Sequence, residues 1–352
     1  MPNNLLDVFS DDAFSMVSLT DAINSIDHVP GLAGELAFAG VSQGIDTTEI
    51  SIEMKNQSLS IIPTSPRGAP APKETRERRT AIKIETPHIQ LEDTVNAASV
   101  QNVRAFGTGA LESVQGVVNE QMQKMTARMD LTLEHLRLGA LKGRVLDADG
   151  TELVDLYATF GVSEPDPITF PSSSSETGSL RVACQNVSRQ IFKAAKTLIP
   201  NGARVAALCG DDFFDQLVSH PDVASAFQGW SAAQQMLANN ATATPFVFGD
   251  VAFINYRGTD GIDGEEASEG DLVGEVGIAS GEARIFLTGV PGLYTEKFAP
   301  ADFVETVNQV GLPRYAKLVL DPELGRWVKL HVQSNPLPLC TRPATLLKGA
   351  FG

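Results

Sequence analysis

The chain has 352 residues, 43% of them hydrophobic, and a formal charge of −16 from 43 acidic against 27 basic residues. That length holds two compact domains or one large one with a sizeable core. The charge repels nucleic acid, which argues against a groove-reading DNA binder but permits a wall that faces DNA without gripping it. Cys184, Cys209 and Cys340 are widely spaced and form no C-x-x-C pair, so they read as reduced, buried thiols rather than a zinc ribbon or redox motif. No uninterrupted run of about 18 apolar residues marks a membrane span. The acidic first thirty residues carry no cationic segment ahead of an apolar run, so no signal peptide is expected.

Residues 1–44 hold short apolar groups broken by Pro30, Gly31, Gly34, Gly40 and Gly44, a pattern that suits an arm packed on something larger than itself. Residues 49–62 and 80–89 alternate apolar and polar side chains, the sign of half-buried strands. Between them lies PTSPRGAPAPKETRERR, too long for a tight turn, and the three stretches together predict a long hairpin with an extended polar tip. Over residues 108–141, Leu111, Val114, Val118, Met122, Met125, Met129, Leu133, Leu136 and Ala140 recur at helical spacing. They predict one helix of roughly 30 residues, about 45 Å long; its methionine-rich stripe and Gly116 favour packing on a sheet over a coiled coil.

KGRVLDA and TELVDLYATF then predict a strand pair around Asp147-Ala148-Asp149-Gly150, and the Pro- and Ser-rich 161–179 a loop or domain junction. Leu180, Ala183, Val187, Ile191, Ala194 and Leu198 predict a helix ending before Pro200. RVAALC reads as a short buried strand, Asp211 and Asp212 as caps of the next helix, and Pro221 as the start of another. Residues 246–256 read as a strand pair, and 260–275 as an acidic segment with no base. ARIFL, YAKLVLD and RWVKLHVQS are strands, the last two joined by a turn at Pro322-Glu323-Leu324-Gly325. The order is α+β rather than a regular βαβ alternation.

Few motifs point to chemistry. Gly40-Val41-Ser42-Gln43-Gly44 matches the nucleophile elbow in letters, but that motif needs a strand before the serine and a helix after it. Here a glycine-broken stretch precedes Ser42 and a strand follows, so a loop serine is the reading. His28, His88, His135, His220 and His331 stand at no metal-binding spacing. Asp211, Asp212 and Asp215 could pair for acid–base work, but helix capping explains the first two. Asp260-Gly261-Ile262-Asp263-Gly264-Glu265-Glu266 fails the calcium-loop pattern, because Ile262 and Gly264 hold the third and fifth positions. No phosphate- or dinucleotide-binding glycine motif occurs, so no cofactor, metal or catalytic residue is assigned. The positive feature is the hairpin tip, where Arg67, Lys73, Arg76, Arg78, Arg79 and Lys83 face only Glu74 and Glu77. A basic projection on an acidic chain predicts docking onto an acidic copy of itself; no aromatic residues are interleaved for stacking on nucleic acid.

Several of these stretches, in order, resemble the lambda-type tailed-phage major capsid proteins, the major capsid protein E family. They are DVFSDDAFSMVSLTDAIN, LSIIPTSPRGAPAP, TPHIQLEDTVNAASVQNVRAFGTG, LEHLRLGALKGRVLDADGTELVDLY, ALCGDDFFDQLVSHPDV and HVQSNPLPLCTRPATLL. The resemblance implies the Hong Kong 97 phage capsid fold: an N-terminal arm (1–44), an extended hairpin loop (45–92), a peripheral domain (93–179) with a spine helix (97–141), an axial domain (180–280) and returning strands (281–352). It implies a structural, non-enzymatic subunit that assembles into hexamers and pentamers of an icosahedral head around double-stranded DNA. Scaffold, portal and possibly decoration proteins would be its partners, the host cytoplasm its place of assembly and the virion its final location. Some members of the wider fold cross-link subunits covalently, and Lys73 is the loop lysine to suspect. No acid and asparagine motif matches, so no cross-link is expected. The alternatives are a minor or decoration virion protein and a soluble serine hydrolase using Ser42.

Overall fold

A computed structural model of the chain describes residues 31–54, 80–101, 114–172, 177–195, 199–227, 245–256 and 277–352. They fall into two compact units. The first comprises residues up to Glu49, Glu85–Arg137 and Thr295–Pro338; the second comprises Ile50–Ile84, Leu138–Tyr294 and Leu339–Gly352.

The first unit opens with a π-helical turn, Gly34–Phe38, and a short strand β1 (Ser42–Gly44). Strands β2 (Glu49–Met54) and β3 (Thr80–Glu85), which apart from Glu49 and Glu85 belong to the second unit, pair with one another as a two-stranded sheet, as the alternating pattern predicts. The stretch 80–89 is not one strand, however. Residues 86–88 interrupt it at Pro87, which has no N–H to continue a ladder, and a new strand β4 (Ile89–Asn96) follows. After a short helix α1 (Ala97–Val100) comes the long helix α2 (Val114–Lys142), about 43 Å at the standard rise. The start of the expected helix, 108–113, lies outside the described residues.

In this unit α2 packs on a three-stranded antiparallel sheet, β13 (Tyr315–Leu320), β14 (Trp327–Ser334) and β4, in the order β13-β14-β4. Met122, Met125 and Met129 pack against Ala316, Leu330 and Val332. One turn earlier, Val118 joins Val95, Val100 and Val328. The period of 3.6 on the helix therefore meets the period of 2 on the sheet, and each buried methionine contributes about 1.5–3 kcal/mol. Asp321 closes the β13–β14 turn by accepting from the Glu323 and Arg326 N–H groups, both at 3.1 Å. A second sheet of the order β1-β12-β15 contains β12 (Tyr294–Phe298) and β15 (Pro336–Cys340). The residue pattern alone marked neither strand, although both fall in the 281–352 stretch where the resemblance implies returning strands. The prolines of PLPLC argue against a central strand, and β15 is in fact an edge strand, where a missing N–H costs little.

In the second unit α2 ends at Gly143, whose φ of 87° and closeness to the Tyr157 ring leave no room for a Cβ. Strands β5 (Arg144–Leu146) and β6 (Glu152–Asp155) form the expected pair. The strand predicted through LYATF is corrected. Leu156–Phe160 is a helix, α3, because the Asp155 carboxylate accepts from the Tyr157 and Ala158 N–H groups at 2.8 and 3.1 Å and Gly161 closes it in the left-handed conformation.

The core of this unit is a six-stranded mixed sheet of order β7-β16-β11-β8-β10-β9. Its strands are β7 (Ile168–Phe170), β8 (Arg204–Cys209), β9 (Phe246–Phe248), β10 (Val251–Asn255), β11 (Glu282–Thr288) and β16 (Leu347–Phe351). Strand β7 interrupts the stretch expected to be all loop. Val205 to Cys209 are all buried, so β8 is covered on both faces and reads as a continuous apolar run. Helix α4 (Ser179–Ala195) buries Leu180, Cys184, Val187 and Ile191. Its first turn is capped from α6 (Pro221–Phe227), where the Asp222 carboxylate accepts from the Gly178 and Leu180 N–H groups at 2.6 and 3.0 Å. From α5 (Asp211–Ser219), Phe213 packs among Phe170, Phe253 and Phe351 with ring centroids 4.8–6.3 Å away. The expected capping by Asp211 and Asp212 is also corrected. Gly210 is the N-cap, the two acids sit in the first turn, and the Ser280 hydroxyl accepts from the Asp212 N–H at 3.1 Å.

Candidate functional site

Of the six basic residues singled out for contact with a neighbour, Lys83 is described: it is exposed on β3, on the face opposite Ile82 and the buried Ile84. Arg67, Lys73, Arg76, Arg78 and Arg79 lie outside the described residues, as does the acidic segment 260–275. The base of the hairpin is closed by Thr86, whose N–H and hydroxyl both donate to the Thr48 carbonyl at 3.0 Å.

The most organised polar cluster is one the sequence reading missed, and it anchors residues 31–44 to the rest of the first unit. Two side chains of α2 carry it. Glu134 accepts from the Ala33 and Gly34 N–H groups at 2.8 and 3.2 Å. It thus caps the first turn of the 31–40 segment from outside, where unpaired N–H groups favour an anion. Gly31 lies so close that a Cβ there would overlap the carboxylate. One turn on, the Arg137 guanidinium forks onto Glu296 of β12, Nε to Oε1 at 2.7 Å and Nη2 to Oε2 at 3.0 Å. Both are buried, Glu296 completely. Ser42 of β1 donates its hydroxyl to the same Oε2 at 2.5 Å, and β1 runs parallel to β12 with Ser42 opposite Glu296. A bidentate, charge-assisted pair suits a dry site because it satisfies both carboxylate oxygens.

This geometry decides how Ser42 is read. It lies within a strand, not at a strand-to-helix elbow, and its proton is committed to a carboxylate already held by an arginine. Among the described histidines, His88 Nδ1 lies 3.0 Å from Asn335 Oδ1 and 3.1 Å from Gln333 Nε2, and His331 Nδ1 lies 3.1 Å from Glu92. His220 accepts the Asp222 N–H at Nδ1, 3.1 Å, which leaves Nε2 as the donor to the Ser172 carbonyl at 3.2 Å. Asp211 accepts from Asn255 Nδ2 at 2.7 Å. These contacts organise backbone and loops. Among the described residues no group of three His, Cys, Asp or Glu side chains is placed to hold a metal, and no helix is long and apolar enough to cross a membrane.

The fold is found in tailed-phage heads. The asymmetric unit of the cyanophage A-1(L) capsid superposes with a TM-score of 0.50 at 11% identity, covering 93% of this chain and 94% of that one. A likeness at that identity shows the fold alone, the α+β Hong Kong 97 capsid fold. The sequence narrows this further: the family model for phage major capsid protein E matches residues 15–351, and the chain belongs to that family. The major capsid protein of Pseudomonas phage KPP10 is 26% identical over 355 residues, 96% of each chain. That of Salmonella phage Felix O1 is 23% identical over 351 residues, 94% of this chain and 95% of the other. The chain is thus a structural protein of the virion head, the function that the resemblance implied.

Proposed function

We propose that this chain closes an icosahedral head from hexamers and pentamers around double-stranded DNA, assembling in the host cytoplasm with scaffold and portal proteins. Residues 1–44 are the arm, 45–92 the extended loop, 93–179 the peripheral domain, 180–280 the axial domain and 281–352 the returning strands. The chain carries no catalytic step of its own.

One observation carries the reading of the loop. Among the described residues β2 and β3 pair only with each other, and an isolated two-stranded hairpin is marginal in water. A neighbouring subunit supplies the missing support. Arg67, Lys73, Arg76, Arg78, Arg79 and Lys83 meet that neighbour's acidic surface, and the charge of −16 ensures that an acidic surface is available. A repeated head-to-tail contact of this kind closes rings. The acidic balance also keeps the inner wall from adhering to DNA, so packing stays reversible.

The test is charge reversal at Arg76, Arg78 and Arg79 to Glu together. The expected product is a folded subunit with unchanged circular dichroism that forms no shells. Shells at the wild-type yield would refute the role of the tip. Ser42→Ala is the control against a hydrolase and should leave shell formation intact.

A further inference from the structure

Among the described residues, exposed large apolar side chains concentrate in one short stretch of the first unit. Val304, Val307, Val310, Leu312, Val319 and Leu324 are six of the ten such side chains, and Val304 is 91% exposed. The first four lie on the loop between β12 and β13, which folds around the buried Thr306 side chain. Thr306 is buried and donates its hydroxyl to the Ala301 carbonyl at 2.7 Å. The Thr306 and Gln309 N–H groups donate to the Phe303 and Thr306 carbonyls at 3.0 and 3.1 Å, and Gln309 Nε2 donates to the Glu305 carbonyl at 2.8 Å. Gly311 donates to Ile45 O at 2.8 Å and lies too close to Phe298 and Ala299 for any side chain. Backbone hydrogen bonds and the buried Thr306 hold the loop, and the three valines are turned outward among the exposed Asp302, Glu305, Asn308 and Gln309.

Charge is sparse at the same place: the exposed charged residues of the loop are Asp302 and Glu305. Glu305 is neutralised by Lys317, at 2.9 and 3.2 Å from its two oxygens, and the ammonium also sits 5.1 Å from the Phe303 ring centroid. In a chain with a net charge of −16, two copies approach most easily where the surface is uncharged. A preorganised apolar loop loses little conformational freedom when covered, and exposed clusters of this kind mark contact sites.

We propose that Val304, Val307 and Val310 form an apolar knob through which one copy of this chain seats on a second copy in the assembled head. The occupant follows from the family: a capsid protein meets other copies of itself, and each copy brings the same knob. Three valines are a small contact, too weak to hold a dimer alone. Repetition around a shell makes such a contact effective while leaving each one reversible during assembly. The inference rests on the shell reading.

The test uses the full chain carrying Val304→Cys. The native thiols give a quiet background: all three are buried, and burial pushes Cys184 and Cys340 up to about 12 and Cys209 higher still. Maleimide should label Cys at position 304 readily in unassembled subunits and at least about tenfold more slowly in shells. The double substitution Val304→Asp with Val307→Asp, on exposed positions, should leave circular dichroism and melting unchanged. It should raise the subunit concentration needed for shells by about tenfold or more. Equal labelling in subunits and shells would overturn the proposal, as would shells of the double variant at the wild-type concentration. Protection that arises only when a different protein is added would also overturn it, because the occupant would then not be a second copy. If the unsubstituted chain forms no shells, the shell reading fails first and takes this inference with it.

Discussion

Glu296→Ala is the substitution that probes the anchored arm most sharply. It removes the carboxylate that Arg137 grips through two hydrogen bonds and that Ser42 also contacts, while the Arg137 side chain stays 6% exposed. Breaking a buried pair from one side costs about 3–5 kcal/mol, because the remaining charge stays desolvated. That corresponds to roughly a 150- to 5,000-fold rise in local opening. Ser42→Ala removes one hydrogen bond at an exposed residue and should cost about 1 kcal/mol. The double change Arg137→Leu with Glu296→Leu should recover most of the loss, since no unpaired charge is left behind. Hydrogen exchange by mass spectrometry on unassembled subunits reads this locally, which suits a chain of two units where one unfolding free energy is ill defined. Protection should fall in 31–44 and 294–298 in Glu296→Ala and return in the double variant. Unchanged exchange in Glu296→Ala would refute the argument that this pair holds the arm.

Three further outcomes follow from packing, backbone and charge. Met125→Ala opens a cavity between α2 and its sheet and should cost about 2–5 kcal/mol, read as lost hydrogen-exchange protection in β4, β13 and β14. Gly143→Ala meets both a positive φ and the Tyr157 ring and should be far worse than Gly150→Ala, which has a similar φ but open space. The latter should cost about 1 kcal/mol, with thermal melts of the two compared. Acid sensitivity should come partly from Glu92, Glu305 and Asp321. Hydrogen bonds from Lys329 and His331 lower Glu92, that from Lys317 lowers Glu305, and the Arg326 and Glu323 N–H groups lower Asp321. Each folded value lies below the ordinary one, so the stabilisation is present above the ordinary carboxylate range and is lost as pH falls through the folded values. Asp321→Asn should flatten that acid limb in a pH series of melts, and an unchanged limb would count against the turn contact.

How much of this was legible in the sequence depends on what sets each feature. The methionine stripe of α2 was legible because burial there follows local periodicity. Glu134 and Arg137 lie on the same helix and read as its polar side, yet both are buried. Their partners are more than ninety residues away in sequence, and no local pattern announces a buried ion pair. Leu156–Phe160 carried its own signal, Asp155 before and Gly161 after, but the alternation in ELVDLY suggested a strand. For β15, proline content pointed away from the edge strand that the fold accommodates. The basic run from Arg67 to Lys83 is legible as charge alone, and no local pattern names what it meets. Ser42 shows the converse, a motif present in letters whose backbone context is absent.

Whether this chain builds a head through contacts between its own copies is read by electron microscopy of particles formed by the full chain. Closed icosahedral shells of hexamers and pentamers are expected, in which residues 63–79 and the valine loop of each subunit lie against neighbouring copies. A uniform population of single subunits under assembly conditions, or shells in which both elements face solvent, would contradict it.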